Sequence, residues 1–109
     1  MPYNLELEKR LDRLSEPLGN FTKKVMFGGV GYLLKGNMAF GIHKQSLLIR
    51  TSAHYADELL KKEHISVFDM TGRPMKGWLL VSSEGVKTDA QLSEFLKLAV
   101  DFSGSLPEK

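Results

Sequence analysis

Residues 26–42 read MFGGVGYLLKGNMAFGI and hold five of the chain's ten glycines. A dinucleotide-binding loop needs the pattern G-x-G-x-x-G between a strand and a helix, because the N-terminus of that helix holds the pyrophosphate. Here Gly29 and Gly31 are followed by residues 32–34, which contain no third glycine and continue as a strand. We therefore interpret the glycines as residues that let an antiparallel sheet bulge or bend, and not as a phosphate site.

The sequence on both sides of this stretch predicts alternating blocks of helix and strand. Leucines at 7, 11, 14 and 18 follow a helical period and predict a helix over about 5–18. Short β-prone segments at 22–27, 30–34, 38–42 and 46–51 predict an antiparallel meander, with Gly36-Asn37 as a two-residue hairpin turn. Ser52 is the expected N-cap of a second helix, which runs to about residue 63 and precedes strands at 65–69 and 78–82. A capping box at Thr88-Asp89-Ala90-Gln91 begins a third helix.

The order α-β(3–4)-α-β(2)-α predicts an α+β two-layer sandwich that forms one domain over residues 1–109. Two strands carry apolar residues at consecutive positions, in Leu47-Leu48-Ile49 and in residues 78–81. A sheet with one solvated face should alternate apolar and polar residues. Either helices cover part of both faces or a second subunit covers one of them, and we therefore expect a homodimer.

The basic residues are unevenly distributed along the chain, although the net charge is only +2. Residues 17–56 contain no Asp or Glu, and their five cations are Lys23, Lys24, Lys35, Lys44 and Arg50. Such asymmetry can indicate a surface that faces anions. Strands are depleted in carboxylates in any case, so the same pattern also fits an ordinary solvated sheet.

The sequence predicts neither a catalytic site nor a metal site. There is no cysteine, and His43, His54 and His64 lack the spacing that puts two ligands on one helix face. Asp69, at the end of a strand, has no second acid or base at a diagnostic spacing. The first ten residues, MPYNLELEKR, are charged and lack the apolar run of a secretory signal, and no segment reaches the roughly 20 apolar residues that span a bilayer. We expect a cytoplasmic protein without a cofactor.

The segment DMTGRPMKGW at 69–78 is the best candidate for a binding surface. Arg73 offers a planar fork of donors for a carboxylate or phosphate, Lys76 adds a positive charge, and Trp78 could offer a stacking face. Alternatively, Gly72 and Pro74 only shape a hairpin loop, Trp78 belongs to the core and both cations are solvated.

The segments KKVMFGGVGYLLKGNMAFGI and FDMTGRPMKGWLLV resemble the N-terminal domain of the TfoX/Sxy family of bacterial competence regulators, over about residues 21–81. The resemblance implies helices layered on an antiparallel sheet, akin to the secretion-chaperone-like fold, in which dimers and protein binding are common. It also implies a role in transcription regulation beside a cyclic-AMP-responsive factor, and no catalytic residues. The namesake regulators carry a second, C-terminal domain, so we expect a stand-alone single-domain member here. The motif residues are Met26, Phe27, Gly28, Gly29, Gly31, Gly72, Arg73, Pro74, Lys76, Gly77 and Trp78.

Our leading hypothesis is a non-enzymatic regulatory module that binds a protein partner through Arg73, Lys76, Trp78, Lys23 and Lys24. The alternative is a binder of nucleic acid or phosphate ligands that uses the five cations of residues 17–56. A small enzyme with Asp69 or a histidine as its base is a third hypothesis, against which the missing second catalytic group counts.

Overall fold

The computed structural model describes residues 4–26, 29–69 and 74–107, and in them the chain forms three α-helices and six β-strands. The helices are α1 (Leu5–Ser15), α2 (Ala53–Leu59) and α3 (Asp89–Gly104). The strands are β1 (Thr22–Met26), β2 (Gly29–Leu34), β3 (Asn37–His43), β4 (Ser46–Arg50), β5 (Ile65–Asp69) and β6 (Pro74–Val81). The predicted α+β class and the predicted order of helices and strands are confirmed.

The six strands form one antiparallel sheet in the order β1-β2-β3-β4-β6-β5. Strands β1 to β4 are the predicted meander, and β6 extends it by pairing with β4. The chain reaches β6 through α2 and β5, so β5 lies outside β6. Strands β1 and β5 are therefore the two edges of the sheet.

One face of the sheet carries the hydrophobic core. The register places alternate residues of β2, β3, β4 and β6 on this face, including Val30, Phe40, Leu47 and Leu79. All three helices contribute apolar residues to the same core, namely Leu7 and Leu11 of α1, Ala56 of α2, and Leu92, Leu96 and Ala99 of α3. Since a buried leucine or phenylalanine contributes about 1.5–3 kcal/mol, this layer of helices on sheet supplies most of the stabilisation.

The opposite face of the sheet is buried at its centre within a single chain. Leu48 points away from the core by strand alternation, and yet it is only 2% exposed. Phe68 of β5 is buried to the same extent, and its ring contacts His43 edge-on at 5.1 Å between centroids. The consecutive apolar residues of β4 therefore do not by themselves require a second subunit, and the homodimer stays a prediction.

The β2–β3 turn lies one residue earlier than the sequence predicts. Lys35 and Gly36 are the central turn residues, with φ of 53° and 84°, and Asn37 already belongs to β3. The side chain of Asn37 is buried and donates a hydrogen bond to the Pro107 carbonyl (2.8 Å). This contact with the C-terminal segment explains why Asn37 serves as a strand residue.

Local sequence determines where the helices begin. The Asn4 side chain accepts a hydrogen bond from the Leu7 amide, and the Ser52 side chain accepts one from the Tyr55 amide. The predicted capping box is complete, because the Thr88 and Gln91 side chains each accept a hydrogen bond from the backbone amide of the other residue. The second helix is shorter than predicted and ends at Leu59. His64 adopts a φ of 71° where the chain turns into β5, so the helix cannot continue to that point.

The glycines of residues 26–42 let two strands approach closely, which differs from the bulge or bend interpreted from the sequence, since the register shift of this strand pair lies between Tyr32 and Leu33. A β-carbon added at Gly41 would overlap the Val30 carbonyl oxygen and lie 3.1 Å from Gly31 Cα. A β-carbon at Gly29 would overlap the Ile42 carbonyl oxygen in the same pair of strands. Gly29 begins strand β2 and Gly31 lies within it, so these glycines lead into a strand and not into the helix that a dinucleotide site requires.

Candidate functional site

Three aromatic and cationic side chains meet where β4 ends. Arg50 is the last residue of β4, Trp78 is its partner in β6, and Phe102 comes from the last turns of α3. The Arg50 guanidinium carbon lies over the Trp78 ring at 5.2 Å from its centroid and over the Phe102 ring at 5.5 Å. We call these three residues the Arg50 cluster.

The guanidinium of Arg50 makes no ion pair or hydrogen bond with any residue that the structure describes. Cation–π contacts use the ring faces and leave the N–H donors of the guanidinium unused. Two rings restrict the side chain, so a planar acceptor such as a carboxylate could be bound without much further loss of side-chain freedom. The cluster is half-buried and is therefore accessible to a ligand.

The second sequence motif builds the backbone beneath this cluster. Gly77 adopts a φ of 84°, and a β-carbon at this position would lie 2.5 Å from the Thr51 carbonyl oxygen. The Gly77 carbonyl in turn accepts a hydrogen bond from the Thr51 amide (2.8 Å). Because only glycine fits this close crossing, Gly77 brings the next residue, Trp78, beside Arg50.

A cleft of about 200 Å³ adjoins the cluster. Its walls are the start of α2 and the end of α3, and its lining residues are Thr51, Ser52, Tyr55, Leu98, Asp101 and Phe102. Phe102 thus belongs to both the cluster and the cleft. Thr51 is 2% exposed, and its Oγ1 has no hydrogen-bond partner among the described residues. Buried hydroxyl groups are normally hydrogen-bonded, so this unpartnered hydroxyl at the edge of the cleft is an exception.

Lys23 is tied to helix α1 and is not a free surface cation. Its ammonium lies 2.7 Å from Glu8 Oε2 and 3.1 Å from Asp12 Oδ1, and the hydroxyl of buried Tyr32 donates to the same Asp12 oxygen (2.5 Å). Burial disfavours the charged form of Lys23, but the hydrogen bonds and charges of Glu8 and Asp12 outweigh it, so the pKa of Lys23 is raised. This network joins the edge strand β1 to α1.

The five cations of residues 17–56 do not form one surface. Lys35 lies in the β2–β3 turn and Lys44 in the β3–β4 turn, which are at opposite ends of the meander. Lys24 is exposed on β1, on the other face of the sheet from Lys23 because strand residues alternate. Of the five, Arg50 lies beside the second motif.

Several of the predicted site residues lie outside the described part of the chain. Arg73, Gly72, Phe27 and Gly28 fall in the undescribed ranges. The backbones of Met26, Pro74 and Lys76 belong to β1 and β6, and their side chains are outside the description. Trp78, in contrast, is described, and it does offer its ring to a guanidinium, that of Arg50.

The histidines lie apart in the fold. His43 ends β3, His54 is in the first turn of α2, and His64 precedes β5. The residues that the structure describes contain no group of three His, Asp or Glu side chains that could hold a metal ion. None of the described helices is long and apolar enough to cross a membrane.

The molecule is a small α+β domain in which helices pack on one antiparallel sheet beside an arginine cluster and a shallow cleft. The family model of the TfoX N-terminal domain matches residues 12–103. The chain therefore belongs to this family of regulatory domains, and the resemblance noted in its two motifs is confirmed. The comparison with curated proteins gave no match.

Sequence reasoning placed Arg50 among five scattered cations and missed Thr51 and Phe102 as site residues. Arg50 and Trp78 are 28 positions apart, and Phe102 is distant from both, so no local pattern connects them. The one signal in the sequence was Gly77-Trp78, since a glycine before an aromatic residue indicates a backbone constraint next to a residue type common at interfaces.

Proposed function

We propose that this chain is a regulatory domain that acts by binding a protein partner and performs no chemistry of its own. The observation that carries the proposal is the Arg50 cluster, an arginine held by two rings without an acidic partner among the described side chains. Arginine and tryptophan are the residues most often responsible for binding energy at protein interfaces. Membership in a family of regulatory domains supports the same conclusion.

The proposed contact surface combines the cluster with its neighbours in the second motif. Trp78 contributes through its ring, and Arg73 and Lys76 contribute as cations close to it in sequence. Lys24 is exposed on β1, which β2 and β3 separate from β4, so it belongs to a second contact area, whereas the ammonium of Lys23 is engaged by Glu8 and Asp12. Of the residues proposed from the sequence whose side chains the structure describes, Trp78 lies in the cluster, whereas Lys23 and Lys24 lie on the edge strand β1.

The proposal is tested by site-specific photo-crosslinking in the organism of origin. A photoreactive amino acid replaces Tyr55, which lines the cleft and is 54% exposed, or Lys9 on α1 as a matched exposed control. We expect a protein that crosslinks at position 55, does not crosslink at position 9, and is lost in an Arg50→Gln background. Identical crosslinked products from both positions would contradict the proposal.

Regulation requires a second measurement. Transcript profiles are compared between a deletion strain complemented with the wild-type gene and the same strain complemented with Arg50→Gln. We expect the variant to reproduce part or all of the deletion profile, since its partner contact is lost. If the deletion itself leaves transcript levels unchanged, a regulatory role in transcription is excluded under the conditions of growth.

The proposed assembly is a homodimer that pairs through the edge strand β1. Val25 on this strand is 71% exposed, and an edge strand offers unpaired backbone groups to a second strand. Sedimentation equilibrium should then give a mass of twice the 12.2 kDa of one chain. A single species of 12.2 kDa at all concentrations would leave the chain a monomer.

A further inference from the structure

We propose that the Arg50 cluster and its cleft form a receptor for an Asp or Glu carboxylate carried by a segment of the protein partner. The inference deepens the proposed function and rests on it, because it names the chemical group that the partner presents. Three observations support it independently: an arginine without an acidic partner among the described residues, a buried hydroxyl without a hydrogen bond to any of them, and a cleft of the size of a side chain.

The first step concerns the charge of the ligand. The Arg50 guanidinium lies over the Trp78 and Phe102 rings, and its N–H groups have no acceptor among the described residues. Ring contacts leave the plane of donors free for an acceptor with two oxygens, and arginine binds carboxylates in this bidentate manner. The group that completes the cluster is therefore a planar anion.

The second step concerns the adjacent hydroxyl. Thr51 follows Arg50 in the chain and lines the cleft. It is only 2% exposed, and its Oγ1 has no hydrogen-bond partner among the described residues. A hydroxyl can donate to a carboxylate or backbone carbonyl oxygen and can accept from a backbone amide. A bound peptide segment offers both kinds of group next to its acidic side chain, and rotation of the Thr51 side chain towards the cleft would bring the buried Oγ1 within reach of them.

The third step distinguishes a carboxylate from a phosphate group. Asp101 lines the same cleft and is exposed, so the charge of the site is mixed. A phosphate group carries nearly two negative charges at neutral pH, and because Arg50 and Asp101 oppose each other its second charge gains little attraction and still loses its hydration, which favours a carboxylate with one charge. The apolar walls from Leu98 and Phe102 suit the carbon atoms of a neighbouring peptide side chain.

The test titrates the full isotope-labelled chain with short peptides and follows its NMR spectrum. The probes are the capped peptide acetyl-Ala-Glu-Leu-Ala-amide and the matched peptide with Gln in place of Glu. The chain has one tryptophan, so the Trp78 indole N–H signal is unambiguous, and the Arg50 Nε–H signal gives a second reporter. We expect saturable shifts of both signals with the Glu peptide, weaker at higher salt because the attraction is between charges.

Matched variants separate binding from folding. Arg50→Gln should lower the affinity for the Glu peptide at least about tenfold, since a charge-assisted hydrogen-bond pair is lost. Arg50→Lys keeps the charge and loses the planar fork, so it should weaken binding nearly as much. Asp101→Asn should strengthen it several-fold, and Lys9→Gln, which removes one positive charge from α1, should leave it unchanged. Thermal melts of all variants establish that each is folded.

Several outcomes would overturn the inference. These are equal binding of the Glu and Gln peptides, equal affinity of the wild type and Arg50→Gln, or tighter binding of a phosphoserine peptide than of the Glu peptide. If Arg50→Gln abolishes a homodimer in sedimentation experiments, a second copy occupies the cluster and an acidic partner is excluded. The titration uses the purified chain alone, so its failure would leave the crosslinking test of the proposed function unaffected.

Discussion

Replacing Gly41 with alanine should destabilise the fold strongly, because β2 and β3 approach too closely for a side chain. The added β-carbon would overlap the Val30 carbonyl oxygen and lie 3.1 Å from Gly31 Cα, whereas ordinary van der Waals contact begins at 3.4 Å. Both neighbours are backbone atoms of a strand that is hydrogen-bonded on both sides, so they cannot rotate away. The two strands must separate, which weakens their hydrogen bonds.

The cost of this separation can be estimated. Overpacking a fixed interior costs about 1–3 kcal/mol, and one weakened backbone hydrogen bond adds about 1 kcal/mol. We therefore expect a loss of about 3 kcal/mol in the free energy of unfolding, from a total of roughly 5–15 kcal/mol for a domain of ordinary stability. For a chain of this length the melting temperature should fall by roughly 10–15 °C.

Urea denaturation, followed by Trp78 fluorescence and by far-UV circular dichroism, measures the effect. Gly104→Ala is the matched control, since it is the same chemical change at the end of α3. A β-carbon there meets only Leu34 Cδ2, at the ordinary distance of 3.9 Å. The control should be neutral or stabilising by up to about 1 kcal/mol. If Gly41→Ala and Gly104→Ala have the same free energy of unfolding, the close approach of β2 and β3 is not what requires glycine.

Three further variants test single contacts, each by its free energy of unfolding. Thr88→Ala removes the capping box of α3 and should cost about 1 kcal/mol, with recovery in Thr88→Ser; no recovery would contradict the capping role. Asn37→Ala should cost about 1 kcal/mol and speed hydrogen exchange near Pro107, which loses its bond to the Asn37 amide. Lys23→Met should cost about 0.5–1 kcal/mol, discounted because the Lys23 side chain is 39% exposed. The pKa of Lys23 is raised, so the contribution of Lys23 to the free energy of unfolding is present below the ordinary pKa of 10.5 and disappears as the pH rises above the raised pKa. If Lys23→Met and the wild type already have equal free energies of unfolding near neutral pH, the ion pairs of Lys23 are refuted.

Local patterns account for the parts of the fold that the sequence could predict. The capping box of Thr88 and Gln91 joins residues three apart, so its contacts can be inferred without knowing the tertiary structure. The sequence prediction placed the β2–β3 turn one residue too late, because Lys35 adopts a positive φ. A positive φ is uncommon for lysine and more common for asparagine and glycine, which occupy the next two positions. A tertiary contact, from Asn37 to Pro107, overrode that local preference.

Lys23 and Lys24 show what the charge pattern alone could not resolve. The two residues are identical and adjacent, but alternation along β1 directs them to opposite faces of the sheet. Lys23 meets the carboxylates of Glu8 and Asp12 on α1, whereas Lys24 is exposed. Counting cations in a window assigns both to one surface, and only the strand register separates them.

The glycines of the family motifs shape the scaffold, and the proposed specificity depends mainly on Arg50, which lies outside the motifs but contacts the motif residue Trp78. A substitution at Gly41 or Gly77 forces backbone atoms apart and costs several kcal/mol, so the fold constrains these positions directly. Arg50 is half-buried and contributes to the fold mainly through ring contacts of about 1 kcal/mol. A change at Arg50 can therefore alter the partner at little cost to folding. For this reason a match to the family identifies the fold, and the partner must be found by experiments on the Arg50 cluster itself.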